Sequence, residues 1–137
     1  MKKEFSIHWK SSVRPGKQHK YRINAPLHIR HKLMSAHLSK ELRKKYNRRS
    51  FPVRKEDKVK VMRGQFRGVI GEIELVDMKK MRVIVKGAEF KAKAGAAPRK
   101  YPLDASKLMI ISLNLSDKSR MRALERKTKK PEVKKNE

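Results

Sequence analysis

The stretch Asp57-Lys-Val-Lys-Val-Met-Arg-Gly64-Gln-Phe-Arg-Gly68-Val-Ile-Gly71-Glu-Ile73 decides how this chain folds. On its near side Val59 and Val61 alternate with Lys58, Lys60 and Met62. On its far side Val69, Gly71, Ile73 and Leu75 share one face, while Glu72 and Glu74 take the other. A period of two is the signature of a half-buried strand. Between the runs, three glycines within eight residues mark a tight connection and a bend that tolerate no Cβ. Arg63 and Arg67 lie in that connection, beside Gln65 and Phe66. Backbone amides left open by glycine, flanked by two guanidiniums, suit the approach of a phosphate. A nucleotide-binding glycine loop is a different object. It needs Gly-x-Gly before a helix, or Gly-Lys-Ser/Thr, and neither occurs here.

Working outward, Met81, Val83 and Val85 alternate with Arg82, and Leu108 to Leu113 forms a more continuous apolar strand. Several short strands joined by glycine-containing turns predict a small, strongly bent barrel. The segment Lys91-Ala-Lys-Ala-Gly-Ala-Ala-Pro-Arg-Lys100 is small, basic and unpatterned, and reads as a projecting loop. After Asn114, Ser116 or Asp117 caps a short helix carrying Met121 and Leu124, and Lys127 to Glu137 is a polar, frayed end. Upstream, Asn24 or Ala25 caps a short helix with Pro26 in its first turn and Leu27, Ile29, Leu33 and Met34 as its apolar residues. Ser39 caps a second, with Glu41 in the first turn. Leu38, Leu42 and Tyr46 share one face of it, opposite Lys40, Arg43, Lys44 and Lys45. The first 23 residues show neither period, Pro15-Gly16 reads as a turn, and the segment is expected to order only on a surface. The fold class is therefore mainly β: a small barrel over residues 51–115, a basic N-terminal arm with one or two short helices over 1–50, and a short helix and charged tail over 116–137.

Charge sets the partner class. The chain has 137 residues with 39 Lys and Arg against 13 Asp and Glu, a net charge of +26. Half of that excess, +13, lies in residues 1–50, with +8 in 51–115 and +5 in 116–137. Self-repulsion of this size opposes compaction, so its natural complement is a polyanion. No membrane span is expected, because the longest apolar run is Leu108 to Ile111 against the ~20 residues a helix needs. The first ten residues are basic without an apolar stretch, so no secretory signal is expected and Asn114-Leu-Ser116 is a chance match to a glycosylation site. The absence of cysteine excludes disulfides and thiolate metal sites. His28, His31 and His37 have only Glu41 nearby as a carboxylate and are set among lysines, which argues against a metal. No cofactor or small-molecule substrate is expected, and Asp57, Asp77, Asp104 and Asp117 are scattered with no nucleophile–base pair, so the chain is not read as an enzyme.

The central pattern resembles a KOW motif, which opens an SH3-like barrel. Ser35-Ala-His-Leu-Ser-Lys-Glu-Leu-Arg-Lys-Lys-Tyr46 followed by Pro52-Val-Arg-Lys-Glu-Asp57, and Tyr101-Pro-Leu-Asp-Ala-Ser-Lys-Leu108 before the last strand, resemble archaeal and eukaryotic members of the large-subunit ribosomal protein family twenty-four. The likeness runs in order over roughly residues 20–125. Many relatives have glycine before the aspartate where this chain has Glu56, a departure that bears on the local turn. The resemblance implies a cytoplasmic, structural constituent of the large ribosomal subunit. It implies binding to large-subunit ribosomal RNA early in assembly, beside neighbouring ribosomal proteins, and a position near the polypeptide exit tunnel with exit-site factors within reach. Arg63 to Gly68 would then be the KOW loop on RNA, and Lys91–Lys100 would take the place of the family's projecting hairpin.

The RNA contacts expected are Arg14, Lys17, Lys20, Arg22, Arg43, Arg48, Arg49, Arg54, Arg63, Gln65, Phe66, Arg67, Gly68, Lys91, Lys93, Arg99 and Lys100. Arginine is favoured because its planar fork grips a phosphate bidentately and stacks on an unpaired base. Trp9, Tyr21 and Phe66 are candidate stacking groups, whereas Tyr46 and Phe51 are assigned to packing. A small basic chromatin protein with an SH3-like barrel is the first alternative, against which the long helical arm counts. A KOW transcription factor is the second, and its paired α/β domain and acidic surface are missing.

Overall fold

A computed structural model of the chain describes residues 5–90, 95 and 97–126. Lys91 and Lys93 of the expected projecting loop, and the tail from Lys127, lie outside the described residues. Seven strands form one mixed sheet: β1 (Ser35–Leu38), β2 (Ser50–Pro52), β3 (Lys58–Val61), β4 (Ile70–Asp77), β5 (Arg82–Phe90), β6 (Arg99–Leu103) and β7 (Leu108–Ser112). Their order is β2-β1-β7-β3-β4-β5-β6. Every pairing is antiparallel except β1 with β7. Among the described residues four α-helices complete the fold: α1 (Pro15–Asn24), α2 (Leu27–Leu33), α3 (Lys40–Tyr46) and α4 (Lys118–Glu125). The molecule is mainly β, a small barrel-like fold with helices on its N-terminal side and one short helix at its C-terminal end.

The barrel's bend is made within β4. Its first half, Ile70 to Glu72, pairs with β3, and its second half, Ile73 to Asp77, pairs with β5. Gly71 sits where the two halves divide. A Cβ there would fall inside contact distance of the Lys86 carbonyl oxygen and 3.1 Å from the Val85 side chain. The crossing of two backbones is why no side chain fits at this position. A register shift between Ile73 and Leu75 then reverses the inward face. Ile73 is buried opposite Val85, but Val76 rather than Leu75 comes to lie beside buried Val83, and Leu75 is 53% exposed. The alternation Val69-Gly71-Ile73-Leu75 thus holds only as far as the bulge.

Leu38 is a fully buried residue of β1 and does not belong to the helical face, which Leu42 and Tyr46 form against the core. β1 and β2 are too short for their alternation to register in sequence, and β1 finds its second partner, β7, some seventy residues away. Residues 15–24 form α1 instead of a turn and an unpatterned arm. Pro15 supplies the preset φ of a first helical residue, Gln18 Nε2 donates to the carbonyls of Lys10 (3.0 Å) and Ser12 (2.7 Å), and Tyr21 is buried against Phe5 at 5.0 Å between centroids. With a single buried residue, α1 shows no period that sequence can display. Arg99 and Lys100, assigned to a loop, are the first residues of β6.

The core gathers Val59, Val61, Ile73, Val83, Val85, Leu103, Leu108 and Ile110 from the barrel, with Met34, Leu38, Phe51 and Val53 from the N-terminal side and Leu124 from α4. One ion pair is sealed within this assembly. Asp57 has no exposure, and its two oxygens each accept from one Arg120 nitrogen at 2.6 Å. The same carboxylate takes the backbone N–H of Arg54 at 2.8 Å and of Asn114 at 2.9 Å. α4 is therefore fastened to the entry of β3 from inside the molecule.

Candidate nucleic-acid interface

The Gly64–Gly68 connection is a rigid projection. Gly68 N–H donates to the Val61 carbonyl at 2.8 Å, and Val61 N–H donates to the Val69 carbonyl at 2.9 Å, closing its base. Gly64 (φ +92°) and Gly68 (φ +94°) supply the left-handed backbone at its two ends, with open space where a Cβ would be. Arg63, Gln65, Arg67 and Gly68 are all exposed. Phe66 turns inward and packs against Phe90 (5.7 Å, edge-on) and Tyr101 (5.2 Å), which meet each other at 5.3 Å. That ring cluster ties the loop to the β5–β6 end of the barrel, so Arg63 and Arg67 share it with Arg99 and Lys100. Phe66 is half-buried there, which makes it chiefly a positioning group for the two arginines. Lys100 pairs with Glu74, and that hydrogen bond raises the lysine's pKa, so its charge persists at any ordinary pH.

A second set lies on the arm. Arg14 occupies the N-cap position of α1 without a side-chain cap bond, and Lys17, Lys20 and Arg22 are exposed along the helix. The Lys17 ammonium sits 5.3 Å from the centroid of Trp9, which is 42% exposed. Tyr21, by contrast, is packed on Phe5 and 8% exposed.

A third set is partly engaged within the fold. Arg43 Nε donates to the Leu38 carbonyl at 2.8 Å. Arg48 donates to the Ala123 carbonyl at the end of α4 and stacks over Phe51 at 5.6 Å. Arg54 bridges to Asp117 at 2.6 Å. Each spends donors on holding elements together, and only Arg49 of this set is exposed without a described partner. Among the described residues no group of three histidines or carboxylates is placed to hold a metal.

Two arginines that hold the site's frame escaped the sequence reading. Arg120 precedes Leu124 by one helical turn, so the two share the buried face of α4; an arginine on an apolar face was the available signal. Arg30 on α2 joins α1 to the barrel through three carbonyls, and nothing in its sequence surroundings marks it. The Glu56 departure is resolved by geometry. Glu56 adopts the left-handed conformation that glycine would take, φ +68°, and its carboxylate accepts from Asn114 Nδ2 at 2.8 Å.

The fold and its surface define the class: a small, strongly basic barrel protein with a projecting glycine–arginine loop and a basic helical arm. The family described as the eukaryotic ribosomal proteins L26 and their archaeal counterparts matches residues 12–127. The chain is 50% identical over 121 residues to large ribosomal subunit protein uL24 of Korarchaeum cryptofilum, covering 88% of this chain and 92% of that protein. It is 47% identical over 116 residues to large ribosomal subunit protein uL24 of Methanosphaera stadtmanae, covering 85% and 98%. The chain belongs to this eukaryotic and archaeal family of ribosomal proteins, which are structural and not enzymatic.

Proposed function

We propose that this protein is a structural constituent of the large ribosomal subunit in the cytoplasm and binds large-subunit ribosomal RNA through the Gly64–Gly68 loop and the basic arm. The observation that carries the reading is the loop itself: two arginines held outward on a glycine-hinged turn, braced from behind by three aromatic rings. The protein works by neutralising phosphates so that RNA segments which repel each other can pack closely. Action early in assembly, a position near the polypeptide exit tunnel, contact with neighbouring ribosomal proteins and with exit-site factors are the finer parts of this reading, supported by the family likeness. Replacing Arg63 and Arg67 together with Ala tests it. The log–log salt dependence of binding to large-subunit RNA is expected to flatten by about 0.7–0.9 per lost phosphate contact. An unchanged slope would mean that the loop faces away from RNA.

A further inference from the structure

Where the end of α1 and α2 meets the β4–β5 turn, the surface folds into a hollow of about 300 Å³. Its walls carry five permanent cations, Arg22, Arg30, Lys79, Lys80 and Arg82, against one carboxylate, Asp104. Asp104 is paired with Arg82. Among the described residues no carboxylate pairs with Arg22, Lys79 or Lys80, and His19 completes the α1 side of the wall.

The hollow is built, not incidental. Arg30 donates from Nε to the Ala25 carbonyl at 2.8 Å, from Nη1 to the Lys79 carbonyl at 2.7 Å, and from Nη2 to the Ile23 carbonyl. It thereby caps the exit of α1 and staples the β4–β5 turn to it, using three of its five N–H groups and leaving two. The turn is fixed separately: Asp77 Oδ1 accepts the Lys80 N–H at 3.0 Å, and Met81 holds φ +55°. Two rigid elements are thus clamped so that like charges converge, an arrangement that costs repulsion unless an anion completes it.

We propose that this hollow seats backbone phosphate of the RNA, a second anchor at the seam between arm and barrel. The proposal rests on the RNA-binding reading above. RNA is favoured over an acidic peptide by continuity: His19 and Arg22, one helical turn apart, line the hollow, while Lys17 and Lys20, also one turn apart, lie on another exposed side of the same short helix, so one phosphate backbone crossing α1 can meet both and enter the recess. Forked guanidiniums and lysine point charges facing one recess suit a phosphodiester, which carries charge without sequence information. Arg30 is the positioning residue.

The test uses the full chain with Lys79→Glu and Lys80→Glu together, both exposed and outside the core, with circular dichroism to verify folding. Affinity for large-subunit RNA near physiological salt is expected to fall on the order of tenfold, and the salt slope by about 0.7–0.9 per lost contact. The Lys79→Arg, Lys80→Arg pair should retain binding, and hydroxyl-radical protection of one RNA backbone stretch should vanish in the glutamate pair yet persist in the Arg63→Ala, Arg67→Ala protein. Unchanged affinity in the glutamate pair, with weakened binding in the loop variant, would overturn the hollow and leave the RNA reading standing. Competition by polyglutamate at equal charge concentration that displaces only this protection would assign the hollow to an acidic protein segment and overturn the proposal. Failure of the unaltered protein to bind the RNA would overturn both.

Discussion

Asp57 stands at the entry of β3, and burying it without a cation would be prohibitively costly. Arg120 supplies that cation as a two-pronged grip, and its guanidinium also lies 5.5 Å from the Phe51 ring centroid and donates to the Asn114 carbonyl at 2.7 Å. Arg120→Met would strand the carboxylate, and equilibrium denaturation should register a loss of about 3–5 kcal/mol. Combining it with Asp57→Asn should cost less than the sum of the two single changes, because the stranded charge is then gone. Gly71 makes a different demand. Gly71→Ala drives a methyl group into the Lys86 backbone and should cost about 1–3 kcal/mol or more, whereas Gly16→Ala in exposed α1, with open space around it, should gain about 0.5–1 kcal/mol; thermal melts of the two proteins would separate the cases. The glycine cluster in the sequence signals that space is scarce somewhere in residues 64–71. It did not tell which glycine meets another backbone and which two merely need positive φ, because that depends on where β5 crosses.

At the scale of elements, α4 is held by charge at its first turn. Arg54 beside Asp117, together with the Ser119 N–H that the same carboxylate caps at 2.8 Å, holds the Asp117 pKa below the usual carboxylate range. A carboxyl whose folded value is depressed lends stability above its unfolded value, about pH 4, and loses it as pH falls through the folded one. The protection of α4 amides, taken as exchange relative to the intrinsic rate at each pH, should therefore fall below about pH 4, and Asp117→Asn should flatten that response. The helix, its cap and buried Leu124 were legible from the order of residues after Asn114. β3, β7 and the Ser39 cap of α3, whose hydroxyl accepts the Leu42 N–H at 3.3 Å, were legible too, since each is specified by neighbours in sequence. The bulge in β4, the strand pair β1–β2 and helix α1 were not. A bulge is a misfit between two strands, a three- or four-residue strand has too few alternations to stand out, and α1 is anchored by Tyr21 and Gln18, whose partners lie outside it, and by Arg30 of α2, which donates to the Ile23 carbonyl near its end.

Over the whole molecule the described cations are distributed among the arm, the glycine–arginine loop, the β6 edge and the hollow at the seam, a spread that the proposed RNA binding would compensate from several sides. With roughly ten phosphate contacts, raising salt from 50 to 200 mM should weaken binding on the order of 10⁵-fold; filter binding across that range checks the count, and a shallow dependence would mean one small patch. Residue order alone specifies the mainly β class, the glycine–arginine loop between two alternating strands, the capped terminal helix and the large excess of cations. These follow from periodicity, backbone permissiveness and net charge, which are local or additive properties. Three-dimensional packing selects which cations are paired within the fold, as Arg48, Arg54 and Arg120 are, and which have no described partner, as Arg63, Arg67 and Arg22. The reason is that a guanidinium's role is set by the carbonyl or carboxylate it meets, and here those partners come from elements distant in the chain.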